Sequence, residues 1–190
     1  MILYEQLEGN NIVLRKAMNK DYQSMLYNVW GDESVWEYML FKPVYTLEDA
    51  KERCKWSYNY QQENYAYFVA LKDNDEAIGL CGIKEYEQGH FEEIGICIGK
   101  EYHNRGLGKE IVSLLLELAF DKLDAIDFKY GCFQDNIISR KLVEHFGFHY
   151  EYTYSIERPW DKSKKTIDSF LLTQKEYYSN LSRISSFRYT

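Results

Sequence analysis

The residues from Glu93 to Lys109, EIGICIGKEYHNRGLGK, concentrate the chemistry this chain can offer. Gly106 and Gly108 carry no Cβ, so the backbone there can approach a ligand closely. An apolar, helix-period run follows from Ile111, and a helix N-terminus presents unpaired N–H groups at the positive end of the helix dipole. Strand, glycine turn and helix together predict a cradle for a pyrophosphate. Arg105 and Lys109 either add charge to that cradle or form a solvated loop face. Two common phosphate loops do not fit. A Walker-type loop needs a glycine where His103 stands and a Ser or Thr where Glu110 stands, and a dinucleotide fingerprint needs a third glycine at Ile111.

The elements that must hold this loop are visible on either side. Ile94, Ile96 and Ile98 alternate with period two, as in a half-buried strand. Ile111, Leu114, Leu115, Leu118 and Ala119 give the following helix one apolar stripe. Ile126, Phe128, Tyr130 and Cys132 alternate as the next strand. Within NIISRKLVEHFGF, a helix from about Asn136 to Phe146 ends at Gly147, a suitable C-cap.

The frame His103-x-x-Gly106-x-Gly108 resembles the Gln/Arg-x-x-Gly-x-Gly/Ala loop of the GCN5-related N-acetyltransferase (GNAT) superfamily, with His103 in the first position. Asn136 to Phe148 resembles that family's second signature. The offsets of Ser139, Gly147 and Phe148 from Asn136, with Glu93-Ile94-Gly95 opening the central strand, resemble the RimJ/RimL-like ribosomal-protein N-terminal acetyltransferase branch. The resemblance runs from Leu14-Arg15 to Ile167–Leu172 and is sharpest between Glu93 and Phe148.

The resemblance implies an α/β (mixed α+β) fold. One domain over 1–190 would hold a central, mostly antiparallel mixed sheet splayed at its middle strands, with helices on both faces and a frayed tail at about 180–190. It implies acetyl-CoA as cofactor and an amine as acceptor. Backbone groups of Ile96, Cys97 and Ile98 would pair with the pantetheine arm. The amides of His103, Asn104, Arg105, Gly106, Leu107, Gly108 and Lys109 would hold the pyrophosphate. Asn136 would hydrogen-bond the arm, cap its helix, or do both.

Glu93 is the expected general base, also reaching the acceptor, with burial raising its pKa and Glu92 as the fallback. Many relatives carry a Tyr where Val143 stands, so Ser139 is the expected group for binding or protonating the leaving thiolate. The two helices before Tyr65 and their linker would wall the acceptor pocket, making Trp30, Trp36, Tyr38 and Phe41 candidates for substrate contact as well as for plain packing. A covalent route through Cys97 or Cys132 is not expected, since neither has a base beside it in sequence.

Composition sets the outer limits. At 190 residues the chain has the length for a full core. Net charge is −7, which disfavours a nucleic-acid surface and suits a cationic amine. Met1 to Asn10 has neither the basic nor the apolar region of a signal peptide, and no apolar run reaches membrane-spanning length. Cys54, Cys81, Cys97 and Cys132 show no metal spacing. These features lead to an expectation of a cytoplasmic, reduced protein without metal, monomeric or homodimeric.

The remaining elements follow in order. Asn11 to Ala17 reads as a strand, and Asn19 or Asp21 caps a helix to about Trp30. Thr46-x-x-Asp49 opens a helix to about Gln62. Tyr65–Leu71 and Ala77–Tyr86 form a hairpin in which Gly79 and Gly82 mark a bulge or close backbone contact. A turn at Glu87–Phe91 leads to the central strand. Strands near Phe148–Ile156 and Ile167–Leu172 and a helix capped by Thr173-x-x-Glu176 close the chain. Besides an enzyme, two other readings stand: a CoA-binding sensor without turnover, and a structural partner using the aromatic face around Trp30 to Phe41.

Overall fold

The computed structural model describes residues 4–180, so the expected frayed tail falls almost wholly outside them. The described chain packs as two compact units, one formed by residues 4–83 together with Ile94–Leu114, the other by Lys84–Glu93 together with residues 115–180.

The first unit begins with strands β1 (Gln6–Glu8) and β2 (Ile12–Arg15), paired antiparallel. β1 was not foreseen: three residues, mostly exposed, are too short to show a period. β2 is buried at all four positions rather than on one face, Arg15 included. A charged residue can be buried there because its guanidinium donates to both carboxylate oxygens of Asp21, at 2.8 and 2.9 Å, and to Asp75 at 2.7 Å.

The helix expected to Trp30 is broken into a 3₁₀ turn at Asn19–Asp21, helix α1 (Tyr22–Met25) and a π-helical turn at Leu26–Trp30. Asp21 does not serve as a simple cap. Its carboxylate is turned to Arg15 and to the Met18 N–H, at 2.7 Å. A short α2 (Glu33–Trp36) follows, with Asp32 accepting from the Ser34 N–H. Helix α3 (Leu47–Gln61) starts as expected, Thr46 accepting from the Asp49 N–H at 3.1 Å. Met25, Val29, Trp30, Ala50, Cys54 and Phe68 build this unit's core.

Strands β3 (Tyr65–Leu71) and β4 (Ala77–Glu87) pair antiparallel, with an irregularity at Val69/Ala70 opposite Gly79. A Cβ on Gly79 would lie 2.3 Å from the Cys97 carbonyl oxygen, so only glycine lets β4 come this close to the next strand. That strand, β5 (His90–Ile98), starts earlier than expected, because the preceding turn is tight. Helix α4 (Leu107–Glu117) follows the glycine loop.

In the second unit, β6 (Asp127–Phe133) runs parallel to β5 over His90↔Asp127, Phe91↔Phe128 and Glu92↔Lys129, where the shared register ends. Helix α5 (Ile137–Phe146) is capped by Asn136, which accepts from the Ser139 N–H at 3.0 Å, and ends on left-handed Gly147. Strands β7 (His149–Glu157) and β8 (Lys164–Thr173) form an antiparallel hairpin, and β8 also pairs with β6. Thr173 and Glu176 make the expected capping box for α6 (Gln174–Ser179). The described sheet has eight strands in the order β1-β2-β3-β4-β5-β6-β8-β7, antiparallel in all the registers above except β5 with β6. This is the mixed α/β architecture the sequence predicted. No described helix is long and apolar enough to cross a membrane.

Candidate active site

The loop of the first unit is built around Gly106, whose φ of +79° is a left-handed conformation that side chains with a Cβ resist. Among the described residues nothing lies within 4 Å of where its Cβ would stand, so the backbone faces open space. Its carbonyl accepts from the N–H of Lys109 at 3.0 Å and of Glu110 at 3.2 Å, which makes Gly106 the first acceptor of α4. The N–H groups of Leu107 and Gly108 therefore have no carbonyl within the helix, the arrangement an anion uses. Arg105 is exposed, with its guanidinium 5.2 Å from the Tyr102 ring. Asn104 also takes a left-handed conformation, φ +61°.

The His103 amide, expected to join this cradle, donates instead to the Lys100 carbonyl at 3.1 Å. The His103 Nε2 lies 3.1 Å from the Ile98 carbonyl oxygen, folding the loop back on the end of β5 and occupying one of the carbonyls expected to be free along Ile96–Ile98. Glu110, where a metal-binding Ser or Thr would stand in another loop type, anchors the helix. It accepts from the Asn11 N–H at 2.8 Å, the Asn11 Nδ2 at 3.0 Å and the Ile12 N–H at 3.3 Å. A contact between residues so far apart in sequence leaves no local signal.

Of the aromatic acceptor candidates, Trp30 is core. It is 0% exposed, packs edge-on to Phe68 with centroids 5.9 Å apart, and its Nε1 is buried without a hydrogen-bond partner among the described residues. Trp36, Tyr38 and Phe41 are half-buried. Met39 comes over Gly95, its Cε 3.1 Å from that glycine's Cβ position, so the linker lies against β5. Sequence reasoning missed Arg53. Its guanidinium carbon is 4.6 Å from the Phe41 centroid and 5.2 Å from that of Trp30, and Nη1 donates to the Lys42 carbonyl at 2.5 Å. Burial lowers its pKa to about 10.

In the second unit, Glu93 Oε1 accepts from the Gly131 N–H at 3.4 Å. Burial, and after it the nearby Glu93 carboxylate, raises the pKa of the Tyr154 hydroxyl, a neighbour not foreseen. Glu92, the fallback base, pairs instead with Lys84 at 2.8 Å. Ser139 Oγ donates to the hydroxyl of buried Tyr130 at 3.2 Å. Val143 is fully buried, so its position offers no group to a ligand. Arg140 pairs with the buried Asp168, which also accepts from Thr153 Oγ1 at 2.5 Å, tying α5 to the β7–β8 hairpin.

The thiols are poor nucleophiles. Burial pushes Cys97 up to about 12 and Cys132 up to about 11. No cluster of three His, Cys, Asp or Glu side chains arranged for a metal is present among the described residues.

The model of the acetyltransferase (GNAT) domain matches residues 11–149. The chain is 27% identical over 179 residues to an uncharacterized N-acetyltransferase, p20, of Bacillus licheniformis, covering 91% of this chain and 98% of that one. Its fold is similar to a GCN5-related N-acetyltransferase from Brucella melitensis, at TM-score 0.83 and 17% identity, over 95% of this chain and 84% of that one. It is similar also to RimL, a ribosomal alpha-N-protein acetyltransferase, at TM-score 0.73 and 14% identity, over 89% of this chain and 94% of that one.

Proposed function

Because the chain belongs to the GNAT acetyltransferase family, we propose that it transfers the acetyl group of acetyl-CoA to a primary amine by direct attack, as a single catalytic domain. Acetyl-CoA supplies the activated acyl group as a thioester. The N–H groups of Leu107 and Gly108 at the start of α4 take the diphosphate, with Arg105 and Lys109 adding charge. The open space around Gly106 fits that group, since a phosphate can rest against the backbone there. Backbone groups of Ile96 and Cys97 serve the pantetheine arm. His103, held on the Ile98 carbonyl, shapes the loop rather than touching phosphate.

An amine attacks only as its neutral form. Glu93 receives its proton, directly or through a water, as the C–N bond forms and the C–S bond breaks. The Gly131 N–H steadies the carboxylate in that position. Ser139 delivers a proton to the departing thiolate, its hydroxyl turning from its present donation to Tyr130, and regains one through the Tyr130 hydroxyl, which is in turn reprotonated from solvent. With Cys97 and Cys132 held as neutral thiols, the ternary complex is favoured over an acyl-enzyme.

The observation that carries this reading is the left-handed Gly106 opening α4 inside the matched domain. The likeness to RimL makes a protein N-terminus one candidate class of acceptor, and a small primary amine is the other. Calorimetry with acetyl-CoA followed by thiol release across an amine panel tests it. Binding with turnover is expected. Binding without turnover on any amine would leave a CoA sensor instead, and no binding would remove the reading altogether.

A further inference from the structure

Arg53 is a half-buried cation with no carboxylate partner among the described residues. Its guanidinium is held between the rings of Phe41 and Trp30 and makes one hydrogen bond, from Nη1 to the Lys42 carbonyl. All 30 Asp and Glu residues of the chain fall within residues 4–180, and none of them pairs with Arg53. Other enclosed arginines here are matched: Arg15 by Asp21 and Asp75, Arg140 by Asp168, Arg158 by Asp161. Burying a guanidinium without a carboxylate disfavours its charged form. Even so, with a pKa near 10 it stays protonated at neutral pH, and its forked Nε and Nη2 donors have no acceptor among the described residues.

The position matters as much as the charge. Phe41 and Cys97 both pack against the core cluster that contains Trp30, so the cation held between Phe41 and Trp30 shares that cluster with the middle of the Ile96–Ile98 stretch. Phe41, which flanks it, belongs to the same linker whose Met39 lies over Gly95. An anionic group on Arg53 would therefore stand within a small molecule's length of the strand proposed to hold the acyl donor.

We propose that Arg53 binds the carboxylate of the acceptor, so that the substrate is a small carboxylate-bearing amine of the α-amino-acid class rather than an amide-blocked protein N-terminus. This rests on the acetyltransferase reading above and narrows it. A planar fork meeting a carboxylate side-on gives two parallel charge-assisted hydrogen bonds, and the rings on either side keep water from competing.

The test is ligand-observed NMR of the CoA-loaded full chain with common α-amino acids, each set against its own amide. The carboxylate member of at least one pair is expected to bind roughly ten- to a hundredfold tighter. Arg53→Gln should abolish that preference, and Arg53→Lys, which keeps charge without the fork, should retain part of it. Equal binding within every pair, no binding by either member, or a preference that survives in Arg53→Gln would each overturn the proposal. The wild-type comparison stands even if a variant fails to fold. Thiol release separates the two readings: turnover indifferent to the carboxylate sinks this inference alone, whereas carboxylate-selective binding without turnover on any amine sinks only the catalytic one.

Discussion

Glu93 accepts from the backbone N–H of Gly131 at 3.4 Å, just past Glu92↔Lys129, the last pair that β5 and β6 share. Where the ladder stops, a strand amide is left for a side chain, and the carboxylate takes it. Replacing Glu93 with Gln preserves shape and an acceptor oxygen but removes the base. We expect kcat/KM to fall about a hundredfold, with the acid limb of the pH profile flattened. Initial rates from pH 5.5 to 9 decide it, and an unchanged profile would move the base elsewhere.

Gly106 separates conformational cost from steric cost. Space around its Cβ position is open, yet φ is +79°. Gly106→Val should weaken CoA binding at least tenfold by pulling the turn out of shape, whereas Gly106→Asn, which tolerates left-handed backbone, should stay within about threefold. Calorimetric titration of both variants checks the ordering.

Ser139 and Tyr130 are expected to act as a unit. Ser139→Ala and Tyr130→Phe should each lower kcat by roughly tenfold with little change in acetyl-CoA affinity, and the double variant should be scarcely worse than either single one. Multiplying effects would show that the 3.2 Å contact does not carry the proton.

Arg15 and Asp21 form the most enclosed ion pair described, with side chains 9% and 1% exposed. Asp21→Asn leaves the guanidinium buried and short of a partner, at a cost of about 3–5 kcal/mol, read as a lower urea midpoint. The third member, Asp75, is held below its ordinary pKa of 3.8 by Lys20 and Arg15, against the opposing effect of its burial. A depressed carboxylate stabilises above its unfolded pKa. That contribution is complete at neutral pH and is lost as pH falls below about 4, so Asp75→Asn should flatten the stability curve there.

Cys97, pushed up to about 12 by burial, should remain unmodified by iodoacetamide at pH 8 over times that fully label a free thiol. Intact-mass measurement follows the labelling. Modification within minutes would show an exposed thiolate and reopen the covalent route.

The parts of this protein legible in its sequence are those set by neighbours along the chain. Thr46, Asn136 and Thr173 cap the helices their spacing predicts, because a cap is a bond to an amide two or three residues on. Gly79 and Gly82 announced a close approach, since omitting a side chain has that geometric use. What stayed hidden depends on partners distant in sequence. Asp21 reads as a helix cap until Arg15 claims it. Trp30 reads as pocket aromatic or plain packing until the core takes it whole, and Arg53 is one basic residue among 23 until its missing counter-charge is seen. His103 fits the phosphate frame by position, but the nearby Ile98 carbonyl holds it.

Glu110 reaching Asn11 and Ile12 has an effect beyond anchoring. A phosphate-gripping turn that had to be frozen by its ligand would give up affinity for that ordering. Here the β1–β2 corner fixes the first turn of α4 when the chain folds, and Gly9 leaves room for the carboxylate that does it. A change as remote as Gly9→Ala would therefore register as a slacker grip on the nucleotide, with every group that touches it left intact.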